Sequence, residues 1–145
     1  MTETEIIIKL LLACLFGGTI GFIRERERKA AGLRTHIMVC LGATLFMLIS
    51  IYMSIVYKGV DAARIASTVV TGIGFIGAGA IIREGGAVRG LTTAASIWAV
   101  AAIGLAVGSG MYAAAITTTI ITIVVLQILS LIERKYISPE KGKEE

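Results

Sequence analysis

Residues Ile37 to Tyr57 read IMVCLGATLFMLISIYMSIVY, a run of 21 positions without one charged side chain. A chain that crosses the hydrocarbon layer as a helix needs about 20 mainly apolar residues, with a range of roughly 17–25. Working outward, four more runs of this kind appear: Ile6–Ile23, Ile65–Ile82, Leu91–Val107 and Met111–Ile132. In hydrocarbon each backbone N–H must find its partner within its own segment, so every run is predicted to be a helix. The expected fold is an all-α integral membrane protein with five transmembrane helices over residues 1–132. Residues 133–145, charged and containing Pro139, form an expected tail too short to be a domain.

Composition agrees. Of the 145 residues, 56% are hydrophobic and 17% charged, and the mean hydropathy is +0.86. A soluble domain carries roughly 45–50% apolar residues even with Gly counted, and about 25% charged ones. Cys14 and Cys40 both fall inside apolar runs, which fits neither a disulfide framework nor a zinc site. There is one His, one Pro, no His-x-x-x-His and no phosphate loop, and no nucleophile, base and orienting group stand together. No catalytic residue and no cofactor site is predicted, and an enzyme is not expected.

Charge sets the expected orientation. Arg24, Arg26, Arg28, Lys29 and Arg34 follow run one, Arg83 and Arg89 follow run three, and Arg134, Lys135, Lys141 and Lys143 follow run five. These make 11 of the 14 basic residues, and Lys9, Lys58 and Arg64 fall in the alternate segments. Basic segments stay cytoplasmic, so the N-terminus is predicted outside and the C-terminus inside, in the inner (cytoplasmic) membrane of a prokaryotic cell. Run one lacks a basic segment before it and reads as a retained helix rather than a cleaved signal. Lys9 is expected to snorkel to the interface. Gly108-Ser109-Gly110 forces runs four and five into a hairpin, and Tyr57, Tyr112 and Tyr136 sit near span ends as interfacial aromatics. The net charge of +4 follows from this topology, so no nucleic-acid surface is read from it.

Two of the basic segments echo each other: Ile23-Arg24-Glu25 and then Gly32-Leu33-Arg34-Thr35, against Ile82-Arg83-Glu84 and then Gly90-Leu91-Thr92-Thr93. This pattern is that of a parallel repeat pairing helices one and two with helices three and four about an axis along the membrane normal. Such an axis would gather Arg24, Glu25, Arg34, Arg83, Glu84 and Arg89 at one cytoplasmic mouth. Thr35 and Thr92 would then cap the helices that follow.

No ionisable residue lies at a predicted midplane, which counts against a carboxylate relay. Glu25 and Glu84 are candidates for an oxygen site holding a hydrated Mg2+, with Asp61 a further candidate. The neighbouring arginines favour Arg–Glu pairing instead, or reception of a phosphate or anionic lipid headgroup. Asp61 is expected to cap helix three, with Arg64 as partner. The four glycines Gly72, Gly74, Gly77 and Gly79 support two readings. One is tight helix packing. The other is a locally unwound helix whose carbonyls line a solute site. Gly17-x-x-x-Gly21 and Gly104-x-x-x-Gly108 read as packing motifs. His36 is expected at the surface, Trp98 in packing, and Gln127 with an interhelical partner.

The run Gly17-Gly18-Thr19-Ile20-Gly21-Phe22-Ile23-Arg24-Glu25-Arg26-Glu27 resembles the opening signature of the MgtC/SapB membrane proteins. So do Lys29-Ala30-Ala31-Gly32-Leu33-Arg34-Thr35-His36, Gly72 to Ile82, and Arg89-Gly90-Leu91-Thr92-Thr93-Ala94-Ala95-Ser96-Ile97-Trp98. The resemblance covers about Leu10 to Ile132 and implies an inner-membrane protein of magnesium-related ion homeostasis. The family it resembles has virulence-associated members linked to growth at low magnesium. The resemblance also implies the membrane module alone, because many members carry a C-terminal cytoplasmic domain and this chain ends at Glu145. Two mechanisms follow from it: a small-ion transporter opened at helix three, or a regulatory subunit that binds another membrane protein such as the F-type ATP synthase. The expected partners are the lipid bilayer, a membrane-protein partner and further copies of the chain in a homo-oligomer.

Overall fold

A computed structural model describes residues 1–84 and 87–129, without the Glu84 side chain. The predicted tail over residues 133–145, the end of run five and Tyr136 lie outside the described residues. The described chain runs α1 (Glu3–Arg26), α2 (Leu33–Val56), α3 (Ala63–Gly79), β1 (Ile82–Glu84), β2 (Ala87–Arg89), α4 (Leu91–Ser109) and α5 (Tyr112–Val124), and α5 continues into a π turn (Val125–Leu129). The two strands form an antiparallel ribbon with Ile82 opposite Arg89 and Glu84 opposite Ala87.

Local chemistry sets the helix ends. Thr2 and Glu5 form a reciprocal cap at the start of α1: the Glu5 amide donates to Thr2 Oγ1 at 3.3 Å, and the Thr2 amide donates to Glu5 Oε2 at 2.9 Å. At the other end the Arg28 amide reaches Glu25 O at 2.9 Å and the Lys29 amide reaches Arg24 O at 3.0 Å. This is the double bond of a Schellman end, and it puts Arg28 at φ 54, a left-handed position usually given to Gly. α4 ends the same way on Gly110, at φ 83.

Four helices are long and apolar enough to cross a membrane: Glu3–Arg26, Leu33–Val56, Leu91–Ser109 and Tyr112–Leu129. The remaining apolar run, Ile65–Ile82, also forms a helix, a shorter one. α3 has 17 residues, because the chain leaves the helix after Gly79 and enters the ribbon at Ile82. At 1.5 Å per residue it covers about 25 Å, against about 30 Å of hydrocarbon. The outer surface is apolar on every helix: Leu11, Phe22, Met38, Ile55, Phe75, Trp98 and Ile120 are all exposed. Soluble proteins rarely show such a contiguous apolar surface, and lipid accepts it. The chain is a multi-pass membrane protein.

α2 is the centre of the bundle. α1 and α4 pack on it from either side, α3 touches both α2 and α4, and α5 packs on α4 and α1. The two Gly-x-x-x-Gly motifs make this packing possible. A Cβ on Gly17 would stand 2.7 Å from His36 O, and one on Gly21 2.8 Å from Leu33 Cα. From the other side, a Cβ on Gly104 would strike Cys40 O, and one on Gly108 would lie 2.6 Å from Met47 Cβ. Without a side chain at these positions the backbones approach closely, which is how membrane helices gain packing energy where lipid supplies no hydrophobic drive. Ile20, Cys40, Val100, Ile103 and Val107 fill the seam.

Candidate functional site

The close approach of α1, α2 and α4 buries polar side chains where α1 ends and where α2 and α4 begin. Arg24, on the last turn of α1, is only 3% exposed. Its Nη2 donates to Thr93 Oγ1 on α4 at 2.8 Å, and its Nη1 lies 3.8 Å from Glu27 Oε2. The Arg24 Nε–H is buried with no partner among the described residues. One turn along α4, Ser96 Oγ donates to Thr93 O at 2.8 Å and sits 3.1 Å from His36 Nε2. His36 is fully buried, and its Nδ1 lies 2.8 Å from Gly32 O.

The direction of each bond in this chain follows from where its protons sit. A carbonyl only accepts, so His36 Nδ1 carries a hydrogen toward Gly32 O. Ser96 has one hydroxyl hydrogen. With His36 neutral, that hydrogen turns from Thr93 O to Nε2. With His36 protonated, Nε2–H donates to Ser96 and Ser96 donates to Thr93 O. The cluster therefore has two hydrogen-bond arrangements that differ by one proton.

The structure redistributes the residues predicted to line one mouth. Arg24 is buried beneath the surface instead of lining an opening. Glu25 and Arg34 border an open hollow of about 570 Å3, together with Arg28, Lys29, Gly32 and Thr35. Arg83 and Arg89 are exposed on the ribbon and do not border that hollow. The Glu84 side chain lies outside the described residues.

Several single readings change. His36 was expected at the surface and is buried, because Gly17 and Gly21 draw α1 over its helix face. Thr35 and Thr92 cap nothing: the caps of α2 and α4 are Gly32 and Gly90, neither with a side-chain bond. Thr93, the neighbour of Thr92, is the threonine in the cluster. Trp98 was expected in packing and is 54% exposed on the bundle exterior. The unwound reading of α3 is replaced by a continuous helix through Gly79. Its tight-packing reading holds for one glycine of four: a Cβ on Gly77 would meet Ala94 Cβ at 3.6 Å, and Gly72, Gly74 and Gly79 face open space. Lys9 donates to Gly108 O at 2.9 Å, closing the end of α4 instead of snorkelling away.

Glu25 and Asp61, two of the three candidate carboxylates, each bind a helix-start amide at opposite ends of the bundle. Glu25 Oε2 accepts the Leu33 amide at 2.9 Å, so it acts as the anionic cap of α2. Gly32 makes room for that carboxylate, which a Cβ would strike. Asp61 Oδ1 accepts the Ala63 amide at 2.8 Å, as a cap of α3 at the opposite end of the bundle. No group of three or more His, Cys, Asp or Glu able to hold a metal occurs among the described residues.

Comparison with known proteins adds an independent line. The model of the MgtC family matches residues 10–135. YhiD of Escherichia coli (strain K12), a candidate magnesium transporter by its name, is 47% identical over 129 residues, covering 86% of this chain and 60% of that protein. Protein MgtC of Brucella abortus (strain 2308) is 44% identical over 117 residues, covering 81% of this chain and 48% of that protein. Protein MgtC of Salmonella typhimurium (strain LT2) is 47% identical over 115 residues, with 79% and 48% covered. The chain thus spans about half to three-fifths of the length of the curated relatives it matches. No solved structure matches it.

Proposed function

Because the chain belongs to the MgtC family, we propose that it is an inner-membrane protein of magnesium-related ion homeostasis, with the Arg24–Thr93–Ser96–His36 cluster as its working centre. The observation that carries this reading is the cluster itself. A guanidinium and an imidazole buried at the end of a membrane bundle are costly to place there, and such residues mark ion or proton pathways. The name of YhiD supports magnesium as the cation concerned, and a carrier over an enzyme. The orientation we propose puts this end in the cytoplasm, with the N-terminus outside, following the basic residues around it.

In the transport form of this reading, α3 moves. It meets α4 at Gly77 and Ala94 without the interlocked glycines that hold α1, α2 and α4 together. Moving it would uncover the cluster to the cytoplasmic side and let a small ion enter. The test is flux into proteoliposomes holding the full chain alone, read for Mg2+, Na+, protons and phosphate. Uptake above empty vesicles, abolished by Gly77→Leu and by His36→Phe, supports the proposal. Absence of flux for all four removes the transport form.

A second reading is favoured by one observation. Gly72, Gly74 and Gly79 meet nothing, and Phe75 between them is 85% exposed. Such a face suits close approach by another membrane helix, from a second copy or from a different membrane protein that the chain regulates. Photocrosslinking from position 75 in native membranes distinguishes these two partners by mass, and labelling by lipid alone defeats this reading. Maleimide labelling of Arg28→Cys from the cytoplasmic side tests the orientation, and labelling from outside reverses it.

A further inference from the structure

A hollow of about 570 Å3 opens where α1 gives way to α2. Arg28, Lys29 and Arg34 line it, with Glu25 as the single carboxylate. None of these three cations forms an ion pair among the described residues. Glu25 is already committed, since its Oε2 holds the Leu33 amide. Arg28 is held at the hollow by a left-handed backbone, φ 54, a conformation that costs a non-glycine residue energy. The strain persists because the surrounding bonds of the α1 end fix it. Below the rim, the first amide of α2 is taken by Glu25, so the attraction for an anion comes from the three side-chain cations. Three cations without ion pairs around one hollow suit an oxyanion with several acceptor oxygens. The position fixes the depth as well. Both flanking helices are membrane-length, so their shared end lies at the level of lipid headgroups.

We propose that this hollow binds a phosphate group of net negative charge, as an anionic lipid headgroup or free inorganic phosphate presents it. The hollow shares only Gly32 with the Arg24–His36 cluster and none of its three cations, and it requires only that α1 and α2 end at the membrane surface, so the flux test above stands or falls independently of it.

The experiment uses the full chain purified in a zwitterionic detergent. Thermal unfolding is followed during titration with dioctanoyl phosphatidylglycerol, dioctanoyl phosphatidylcholine or inorganic phosphate. Stabilisation by phosphatidylglycerol, with none from phosphatidylcholine or phosphate at equal concentration, identifies a lipid headgroup site. Stabilisation by inorganic phosphate identifies the phosphate group alone as ligand. Each of Arg28→Gln, Lys29→Gln and Arg34→Gln is expected to weaken binding roughly fivefold, and the triple variant to abolish it. All three side chains border open space, so the variants keep the elution profile of the parent. Removing two charges elsewhere, by Arg83→Gln with Arg89→Gln, leaves binding intact. Equal stabilisation by phosphatidylcholine, no stabilisation by any probe, undiminished binding in the triple variant, or equal loss in the ribbon control would each overturn the proposal.

Discussion

Replacing Arg24 by methionine separates stability from function at the buried cluster. Methionine keeps most of the volume and removes the charge. What the protein loses is one hydrogen bond from a charged donor, 2.8 Å to Thr93, of about 1.5–3 kcal/mol. It also loses a 3.8 Å ion pair with the partly exposed Glu27, within about 0–1 kcal/mol. What it gains is relief of a buried Nε–H without a partner, about 1–3 kcal/mol, and of a desolvated cation, several kcal/mol more. The balance is neutral to favourable by about 1–3 kcal/mol. Thermal unfolding of the full chain in detergent, followed by fluorescence-detected size exclusion, is therefore expected to show an unchanged or raised melting temperature. Flux or partner capture should be lost in the same variant. A fall in melting temperature of more than about 5 °C, restored by Arg24→Lys, would refute this reasoning, because it would mean that the charge is held by more than Thr93 and Glu27.

Four further outcomes are expected in the same unfolding assay. Gly104→Val drives a side chain into Cys40 O and Ala43 and should destabilise by about 1–3 kcal/mol, whereas Gly72→Ala, which meets nothing, should be neutral to stabilising. Arg28→Gly should stabilise by about 1 kcal/mol, by placing the residue suited to φ 54 at the end of α1. Gly90→Ala should lower stability and expression together, since Gly90 has φ 88 and a Cβ there would strike Ala80 O. Ser96→Ala leaves His36 Nε2 buried without a partner and should cost about 1–3 kcal/mol, and Ser96→Thr should recover most of it.

The helices were legible because hydrocarbon admits so few backbone solutions: five apolar runs gave five helices, differing mainly at their ends. The end of α3 was misplaced because Ala80, Ile81 and Ile82 are as apolar as the helix before them, and hydropathy cannot see a change of backbone. The signal that was present is Gly85-Gly86 between two short segments, a dipeptide suited to a two-residue hairpin. The packing role of Gly17, Gly21, Gly104 and Gly108 followed from spacing, whereas the glycines of α3 were overread, since spacing gives a face but not whether anything stands opposite it. The buried cluster was missed for a related reason. His36 follows a basic turn, which suggested solvent, yet it shares a helix face with Cys40, Ala43 and Thr44, all buried. Thr93 and Ser96 likewise continue the stripe of Val100, Gly104 and Val107 on α4. Extending the glycine motifs to the faces they must meet would have found all three.

The same glycines determine which part of the bundle can move. Short side chains such as Ser96 and Thr93 reach His36 and Arg24 only because α1, α2 and α4 lie close together. Any separation of those three breaks the cluster and opens a void along the seam. α3 is held differently. Its start is fastened to α2 by the Ser50 hydroxyl donating to Ala62 O, and its middle packs Ile73 against Ile97 and Ala101, with Gly77 an ordinary 3.6 Å from Ala94. Swinging the ribbon end of α3 outward about the Ser50 attachment thus sacrifices side-chain packing around Ile73 and Gly77, whereas moving α1 sacrifices an interlocked backbone face. Gly77→Leu acts on this difference: a leucine between α3 and α4 stops α3 from returning to its closed position and so halts the cycle, while leaving Arg24, Thr93, Ser96 and His36 bonded. A Gly77→Leu protein that keeps its melting temperature within about 2 °C but loses flux places the moving part in α3. One that unfolds early shows instead that α3 is as tightly bound as its neighbours, and the opening must then be sought elsewhere.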